Sequence, residues 1–308
     1  MENKYYLYTL ISAFVWGTSF PVVAYSLQYT EPALLLALRF GLATIISFFM
    51  LKINFRVIFY NKLLLFVGLL NGFAYFFQFL GQNVIPAGLS SILVNSYAIF
   101  VPIFSYFIVN EQITAKKITA AILGVFGVIL ISYNEISLTS SEHIAIYLLG
   151  IITVFFSGLL WALYVVYSKK AESKFQDRLS NGSLNENEIT YKEVFFTSLF
   201  YTALIGLIVV LLHPTNITTI FSVEPIAGGI YLSIFCTMIP FFLYLQALEK
   251  IDASIVSIIL LFEVIIAYII SILYLSESVE IIEIFGTIII IFGIFIAIQS
   301  DASTKNNE

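Results

Sequence analysis

The chain has 308 residues, with 14 Lys and Arg against 19 Asp and Glu and a formal charge of −5. Hydrophobic residues make up 60% and charged residues 11%, at a mean hydropathy of +0.99; a soluble domain carries about a quarter charged residues. So little charge cannot dress a water-facing surface, and the acidic balance argues against nucleic acid as a partner. The lone Cys236 rules out an internal disulfide, and with only His143 and His213 beside it no metal or other cofactor is expected.

What remains is an all-α integral membrane protein. Ten apolar stretches run in chain order, at roughly 7–26, 33–51, 63–83, 87–109, 115–133, 144–167, 193–212, 226–248, 253–275 and 281–299. Each is long enough to cross ~30 Å of hydrocarbon as a helix. Their apolar runs are continuous, whereas a membrane barrel alternates apolar and polar positions. The first stretch is too long for a signal peptide and has no small-residue cleavage site, so it reads as a permanent helix. Most joins are short. The longest polar segment, 168–192, contains Asn181-Gly182-Ser183 and reads as a flexible linker.

Charge placement sets the topology. With the N-terminus in the cytoplasm, every Lys and Arg except Arg39 falls on an inner segment, and Arg39 lies within the second span. The positive-inside rule therefore puts both termini in the cytoplasm, and the expected location is the plasma membrane. The triplet Asn216-Ile217-Thr218 lies on the outer side and reads as a chance match to a glycosylation pattern.

The chain repeats itself. Residues 77–131 align with 243–297 without a gap at an offset of 166, with twelve identities in 55 pairs. Six of these are isoleucine; the others include Ala87/Ala253, Ser91/Ser257, Glu111/Glu277 and Gly127/Gly293. Upstream, Asn71 pairs with Thr237 and Gln78 with Tyr244, and Trp16-Gly17 matches Trp161-Ala162 at an offset of 145. Each half then holds five helices: 1–134, and 135–300 with the linker, followed by a cytoplasmic tail 301–308. Five is odd, so the second half enters the membrane inverted, a construction that secondary transporters use with a site at the repeat interface.

Polar residues on one face of a span point toward protein or water. The third span carries Asn71, Tyr75, Gln78 and Gln82 as one stripe, and the sixth repeats the spacing with Ser157, Trp161, Tyr164 and Ser168. The eighth adds Thr237 and Tyr244, and the fourth adds Asn95, Ser96 and Tyr97. These spans, with the first and ninth, are expected to surround a central cavity. The candidate substrate-binding residues are Trp16, Asn71, Tyr75, Gln78, Asn95, Tyr97, Trp161, Tyr164, Thr237, Tyr244 and Glu263. Their aromatic and amide character suits a small zwitterion or an amine with an apolar part. The competing reading is that these groups only tie helices together.

Two ionisable residues lie deep, Arg39 and Glu263. Charges at such depth face the protein interior. Glu263 aligns with Tyr97 and has no mate charge. It is a candidate to bind a proton or a substrate ammonium, or to form with Arg39 an ion pair that opens and closes. Glu111 and Glu277 stand at helix ends and are expected to receive backbone N–H groups from the next helix. Gly68 and Gly72, and the small residues of the fifth and tenth spans, read as helix contacts; Pro21, Pro102 and Pro240 read as kinks or hinges.

These residues together resemble the drug/metabolite transporter superfamily in its ten-helix, EamA-like branch. The resemblance rests on Phe14-Val15-Trp16-Gly17-Thr18-Ser19-Phe20, Ala37-Leu38-Arg39-Phe40, Leu160-Trp161-Ala162-Leu163-Tyr164, Phe262-Glu263-Val264 and the two helix-end glutamates. Val264 stands where that family often has proline. The resemblance implies export of small metabolites, often amino acids or related compounds. Motifs for ATP binding or for hydrolysis are missing, so the chain reads as a transporter rather than an enzyme. Its expected partners are a small-molecule substrate and the lipid bilayer, with a homodimer left open. Rival readings are import or multidrug efflux on the same fold, an enzyme acting on lipid, and a non-transporting receptor or assembly subunit.

Overall fold

A computed structural model describes residues 3–51, 53–85, 87–131, 144–180, 189–213, 219, 222–275 and 281–305. The first span consists of α1 (Asn3–Gly17) and α2 (Ser19–Leu27), and the second is α3 (Pro32–Met50). After the short α4 (Phe55–Tyr60) comes α5 (Lys62–Gln82), the third span. The fourth is α6 (Ala87–Asn95) with α7 (Tyr97–Val109), the fifth α8 (Ala115–Ile131), the sixth α9 (Ile144–Ser180) and the seventh α10 (Tyr191–Leu212). The eighth joins α11 (Val223–Ser233), a π-helical segment (Ile234–Met238) and α12 (Ile239–Lys250). The ninth is α13 (Ala253–Leu260) with α14 (Phe262–Leu275), and the tenth is α15 (Ile281–Lys305). Among the described residues there is no strand, and seven helical runs are long and apolar enough to cross a membrane, with shorter apolar helices beside them. The chain is a multi-pass, all-α membrane protein.

Local chemistry fixes the helix starts. Pro32 opens α3 at a position where a missing N–H costs nothing. Asn61 caps α5, its side-chain oxygen accepting from the backbone N–H groups of Leu63 and Leu64. Thr190 and Glu193 form a reciprocal capping box on α10. At the other end of α7, Asn110 takes a left-handed conformation (φ 57°) that stops the helix.

Two expectations change. The sixth helix does not stop near Ser168 but runs to Ser180. Residues 168–180 contain no Gly or Pro and are rich in Lys, Glu, Gln and Arg, which propagate a helix well; Asn181-Gly182-Ser183 lie outside the described residues. Glu111 caps the start of α13, not the next helix α8. Its carboxylate accepts from the Ala253 N–H at 2.6 Å, the Ser254 N–H at 3.3 Å and the Ser254 hydroxyl at 2.8 Å. Burial, with Asp252 nearby, raises the Glu111 carboxyl above the ordinary range, and Lys169 and those hydrogen bonds pull it back. Glu277, His143 and Asn216-Ile217-Thr218 lie outside the described residues.

Four spans are interrupted, and prolines alone do not set the breaks. The first turns at Thr18, the fourth at Ser96 and the ninth at Leu261. At each break the hydrogen bonding tightens to i→i+3, as in Thr18 to Val15, Ile99 to Ser96 and Leu261 to Ile258. The ninth span breaks although Val264 stands where the family often has proline.

The spans pack by a rule of exchange. The first rests on the eighth and ninth, and the sixth on the third and fourth. The second touches the eighth and the seventh touches the third, while second with seventh and fifth with tenth pair directly. Replacing each span by the one five places away maps this set onto itself. Spans five and ten run antiparallel: Gly127 lies against Gly286 and Ile290, and Gly293 against Ala120 and Gly124. The first and eighth are antiparallel too, since Ser12 donates to the Pro240 carbonyl and Trp16 to that of Cys236.

Close approach makes Gly17 irreplaceable. A Cβ there would sit 2.5 Å from the Glu263 carbonyl oxygen and 2.7 Å from the Ile266 Cβ. Gly17→Ala should therefore destabilise by about 1–3 kcal/mol through overpacking. A Cβ on Gly41 meets nothing within 4 Å, so Gly41→Ala should leave stability unchanged or raised. Thermal unfolding of the two purified variants makes the comparison.

Candidate functional site

The interrupted spans meet around a central cavity. Its lining is Trp16, Ser19, Phe20, Tyr75, Gln78, Val94, Tyr97, Trp161, Val165, Tyr244, Leu260 and Glu263. About 40 Å³ is open to the centres of water-sized spheres, room for roughly three waters at ~10–15 Å³ each. The walls are aromatic. Tyr75 and Trp161 have ring centroids 4.9 Å apart, Trp16 and Tyr244 5.4 Å, and Trp161 and Tyr164 5.3 Å.

The lining follows the internal repeat. At an offset of 145, Trp16 pairs with Trp161 and Phe20 with Val165. At 166, Gln78 pairs with Tyr244, Val94 with Leu260, and Tyr97 with Glu263. Only Ser19 and Tyr75 lack a mate in the lining. The mate of Tyr75 is Phe241, which packs against Trp16 at 5.3 Å. Polar periodicity passes over Phe241, as well as Ser19, Phe20, Val94, Val165 and Leu260. The repeat register applied to the residues already singled out finds two of them, Phe241 as the mate of Tyr75 and Ser19 as the mate of Tyr164; Phe20, Val94, Val165 and Leu260 are mates of one another, so neither polarity nor the register points to them.

Of the residues expected at the site, the structure brings together Trp16, Tyr75, Gln78, Tyr97, Trp161, Tyr244 and Glu263. It places four others outside the lining. Asn71 donates to the Ser198 carbonyl and the Thr202 hydroxyl, fixing the third span to the seventh. Its mate Thr237 accepts from Arg39 Nε at 2.8 Å and fixes the eighth span to the second. Tyr164 is fully buried and shares a hydrogen bond with Ser198. Asn95 stands behind Glu263, with its amide nitrogen 2.7 Å from Glu263 Oε1 and 2.9 Å from the Ser91 carbonyl. The spacing that put these four on a cavity-facing stripe cannot separate the cavity itself from the helix seams that flank it.

Glu263 and Arg39 are both buried, at 5% and 1% exposure, and no ion pair joins them among the described residues. Arg39 is engaged elsewhere. Nη2 donates to the Cys236 carbonyl at 3.0 Å, and the guanidinium stacks over Tyr75 and Phe40, each centroid 5.0 Å away. It acts as a clamp on the π-helical segment. Among the described residues, two fully buried donors at the cavity have no partner: Trp161 Nε1 and the Tyr244 hydroxyl. The equivalent nitrogen of Trp16 is already committed to the Cys236 carbonyl at 2.9 Å.

Comparison with known proteins gives the family. The EamA-like transporter family matches residues 3–133 and 188–299. The chain belongs to that family. The transporter is 24% identical over 299 residues to an uncharacterized transporter of Archaeoglobus fulgidus, covering 96% of this chain and 99% of that one. It is 29% identical over 175 residues to a probable amino-acid metabolite efflux pump of Escherichia coli, covering 56% of each. A solved crystal structure matches 96% of the transporter with a TM-score of 0.72 at 15% identity, which shows a shared fold. The protein is thus a small-molecule transporter in a lipid environment.

The clamp can be measured. Arg39→Met leaves the Thr237 hydroxyl and the Cys236 carbonyl short of a donor, and Arg39→Lys cannot reproduce the two-pronged contact. Both variants should lower the unfolding temperature. Thr237→Val should cost less in the Arg39→Met background than alone, with a coupling of about 1 kcal/mol or more in a double-mutant cycle.

Proposed function

We propose that the transporter exports amino acids or closely related zwitterionic metabolites across the plasma membrane by alternating access. In this reading residues 1–134 and 135–300 are two inverted five-helix repeats, and both termini are cytoplasmic. The observation that carries it is the cavity lining, ten of whose twelve residues fall into repeat-mate pairs. A site built from mates is shared equally by two bundles, so rocking one against the other exposes it to either side in turn.

The break in that pairing that introduces a carboxylate is Tyr97 against Glu263. It supplies a single buried carboxylate, steered by Asn95, as the partner for a substrate ammonium. The unpartnered Trp161 Nε1 and Tyr244 hydroxyl supply neutral donors for a substrate carboxylate. Arg39, the nearby cation, is already committed. The aromatic walls take the apolar part. The printed name of the Escherichia coli relative, an amino-acid metabolite efflux pump, is in keeping with this choice. A carboxylate that exchanges a proton for the ammonium would couple export to a proton gradient.

The experiment is Glu263→Gln. The variant keeps shape and the hydrogen bond to Asn95 but loses the charge. Charge-assisted hydrogen bonds are worth about 1.5–3 kcal/mol, so substrate affinity should fall by about tenfold or more. Flux of amino acids in proteoliposomes should lose its pH dependence. Wild-type flux and pH profile in Glu263→Gln would remove Glu263 from the mechanism.

A further inference from the structure

Below the cavity, the sixth span continues the polar stripe that begins at Trp161. Ser168 and Glu172 follow Trp161 on the same face of α9, seven and eleven residues on. Both are buried, at 0% and 1% exposure. Among the described residues neither oxygen of Glu172 has a hydrogen-bond partner, and the charges acting on it are Lys169, Glu249 and Lys250. A buried carboxylate left without donors is costly unless water or a cation reaches it in another state.

The segment bound to α9 beside this stripe is gripped by three side chains. It is the junction between α12 and α13, residues 248–254. Lys169 Nζ donates to the Leu248 carbonyl at 2.6 Å and the Ile251 carbonyl at 2.8 Å. Lys117 Nζ, 1% exposed, pairs with Asp252 at 2.5 Å and donates to the Gln112 carbonyl at 3.0 Å. Glu111 takes the Ala253 and Ser254 N–H groups. Three side chains from α9, α8 and the α7–α8 turn thus converge on one turn.

The repeat register carries over only part of this charge set. Under the repeat offsets, the mates of Lys169, Glu172 and Asp252 are Ala24, Leu27 and Pro86, while those of Glu111 and Lys117 are Glu277 and Glu283. Both lysines of the grip therefore lack a cationic mate in the sequence.

We propose that the stripe Trp161, Ser168 and Glu172, with Tyr244, is the closed half of the permeation path, and that Glu111, Lys117 and Lys169 form the latch that shuts it by holding residues 248–254. Release of the latch lifts the junction from α9 and opens a water-filled route from the central cavity past Ser168. Glu172 gives that route a negative wall, selective for the cationic end of a solute. The proposal rests on the transporter reading but not on any substrate, because it concerns access alone.

Thiol labelling tests it. Ser168→Cys is made in a Cys236→Ala background, which removes the natural thiol and keeps the Cys236-position carbonyl that Trp16 and Arg39 use. The protein is reconstituted in nanodiscs, so reagents reach both faces. Labelling by charged, membrane-impermeant methanethiosulfonates is timed with the latch intact and with Lys117→Met. The latch variant should label about tenfold faster or more, as expected when a local opening loses a buried ion pair. A Tyr60→Cys control, at a position 85% exposed, should label at one rate in both. Within the latch variant, the cationic reagent should outpace the anionic one by more than it does at the control. Adding Glu172→Gln should return that ratio to the control value. If Lys117→Met does not fold, Asp252→Asn breaks the same pair from its more exposed side. Equal labelling with the latch intact and broken, or fast labelling of the intact protein, would overturn the latch. A ratio unmoved by Glu172→Gln would overturn the charged path. Neither outcome bears on Glu263 or on amino-acid flux.

Discussion

One missing N–H organises the centre of this protein. Pro240 cannot donate to the carbonyl four residues back, which belongs to Cys236. In hydrocarbon an unsatisfied backbone carbonyl costs several kcal/mol, so a partner must be found inside the protein. Two side chains from the first half of the chain provide it, Trp16 Nε1 and Arg39 Nη2. The helix also widens to a π segment over Ile234–Met238, just before Pro240. A local defect in the eighth span therefore becomes the bond that ties it to the first and second. It also orients the Trp16 ring that walls the cavity and places the Arg39 guanidinium behind Tyr75. This bonding accounts for the buried cation. Arg39 is a structural donor, held by a carbonyl, a hydroxyl and three aromatic faces.

The scale of the fold was legible in the sequence because lipid imposes a strong filter. A span must be long and apolar and must carry its own backbone hydrogen bonds, so composition alone locates it. The internal repeat was legible through a few polar and small residues. Gly127 and Gly293, paired in the alignment, are each pressed against the facing helix. What the sequence did not reveal are features decided by tertiary partners. The break at Leu261 has no proline to announce it, and its stability depends on what packs around it. The helix end at Ser180 was hidden by polar residues that look like linker but propagate helix well. Asn71 and Thr237 share a repeat position and a polar character with true cavity residues. Only coordinates reveal that each bonds to a neighbouring span. A period of 3.6 defines a face, and one face covers both a cavity wall and the seams on either side of it.

The interplay of symmetry and its loss separates scaffold from chemistry. Mates with like roles mark the scaffold. Asn71 fixes the third span to the seventh, and Thr237 fixes the eighth to the second, which is the same contact under exchange. Trp16 and Trp161 occupy equivalent walls, but one indole nitrogen is consumed by Cys236 and the other is left open. Tyr97 and Glu263 occupy equivalent positions, but one is an aromatic and the other a carboxylate. The cavity lining is thus two-fold in the positions that build it and unequal in hydrogen-bonding character. Under the proposed function, that inequality is what would orient a solute.

Asymmetry at the rims follows the same logic with a different consequence. A perfectly symmetric pair of bundles would have equal free energies for its two openings, and the solute would see no preferred resting side. A difference in charge between the rims removes that degeneracy. Glu111, Lys117 and Lys169 add hydrogen bonds to the state in which residues 248–254 are held; in the repeat register their mates are Glu277, Glu283 and Ala24, so the two cations of the grip have no cationic mate. The bias must stay modest, since a state favoured by more than a few kcal/mol would trap the cycle. That limit accounts for the composition of the grip. It combines backbone carbonyls, N–H groups and one partly exposed aspartate, Asp252 at 29%. Such contacts can exchange for water as the junction lifts, which a dry apolar seam could not do at comparable cost.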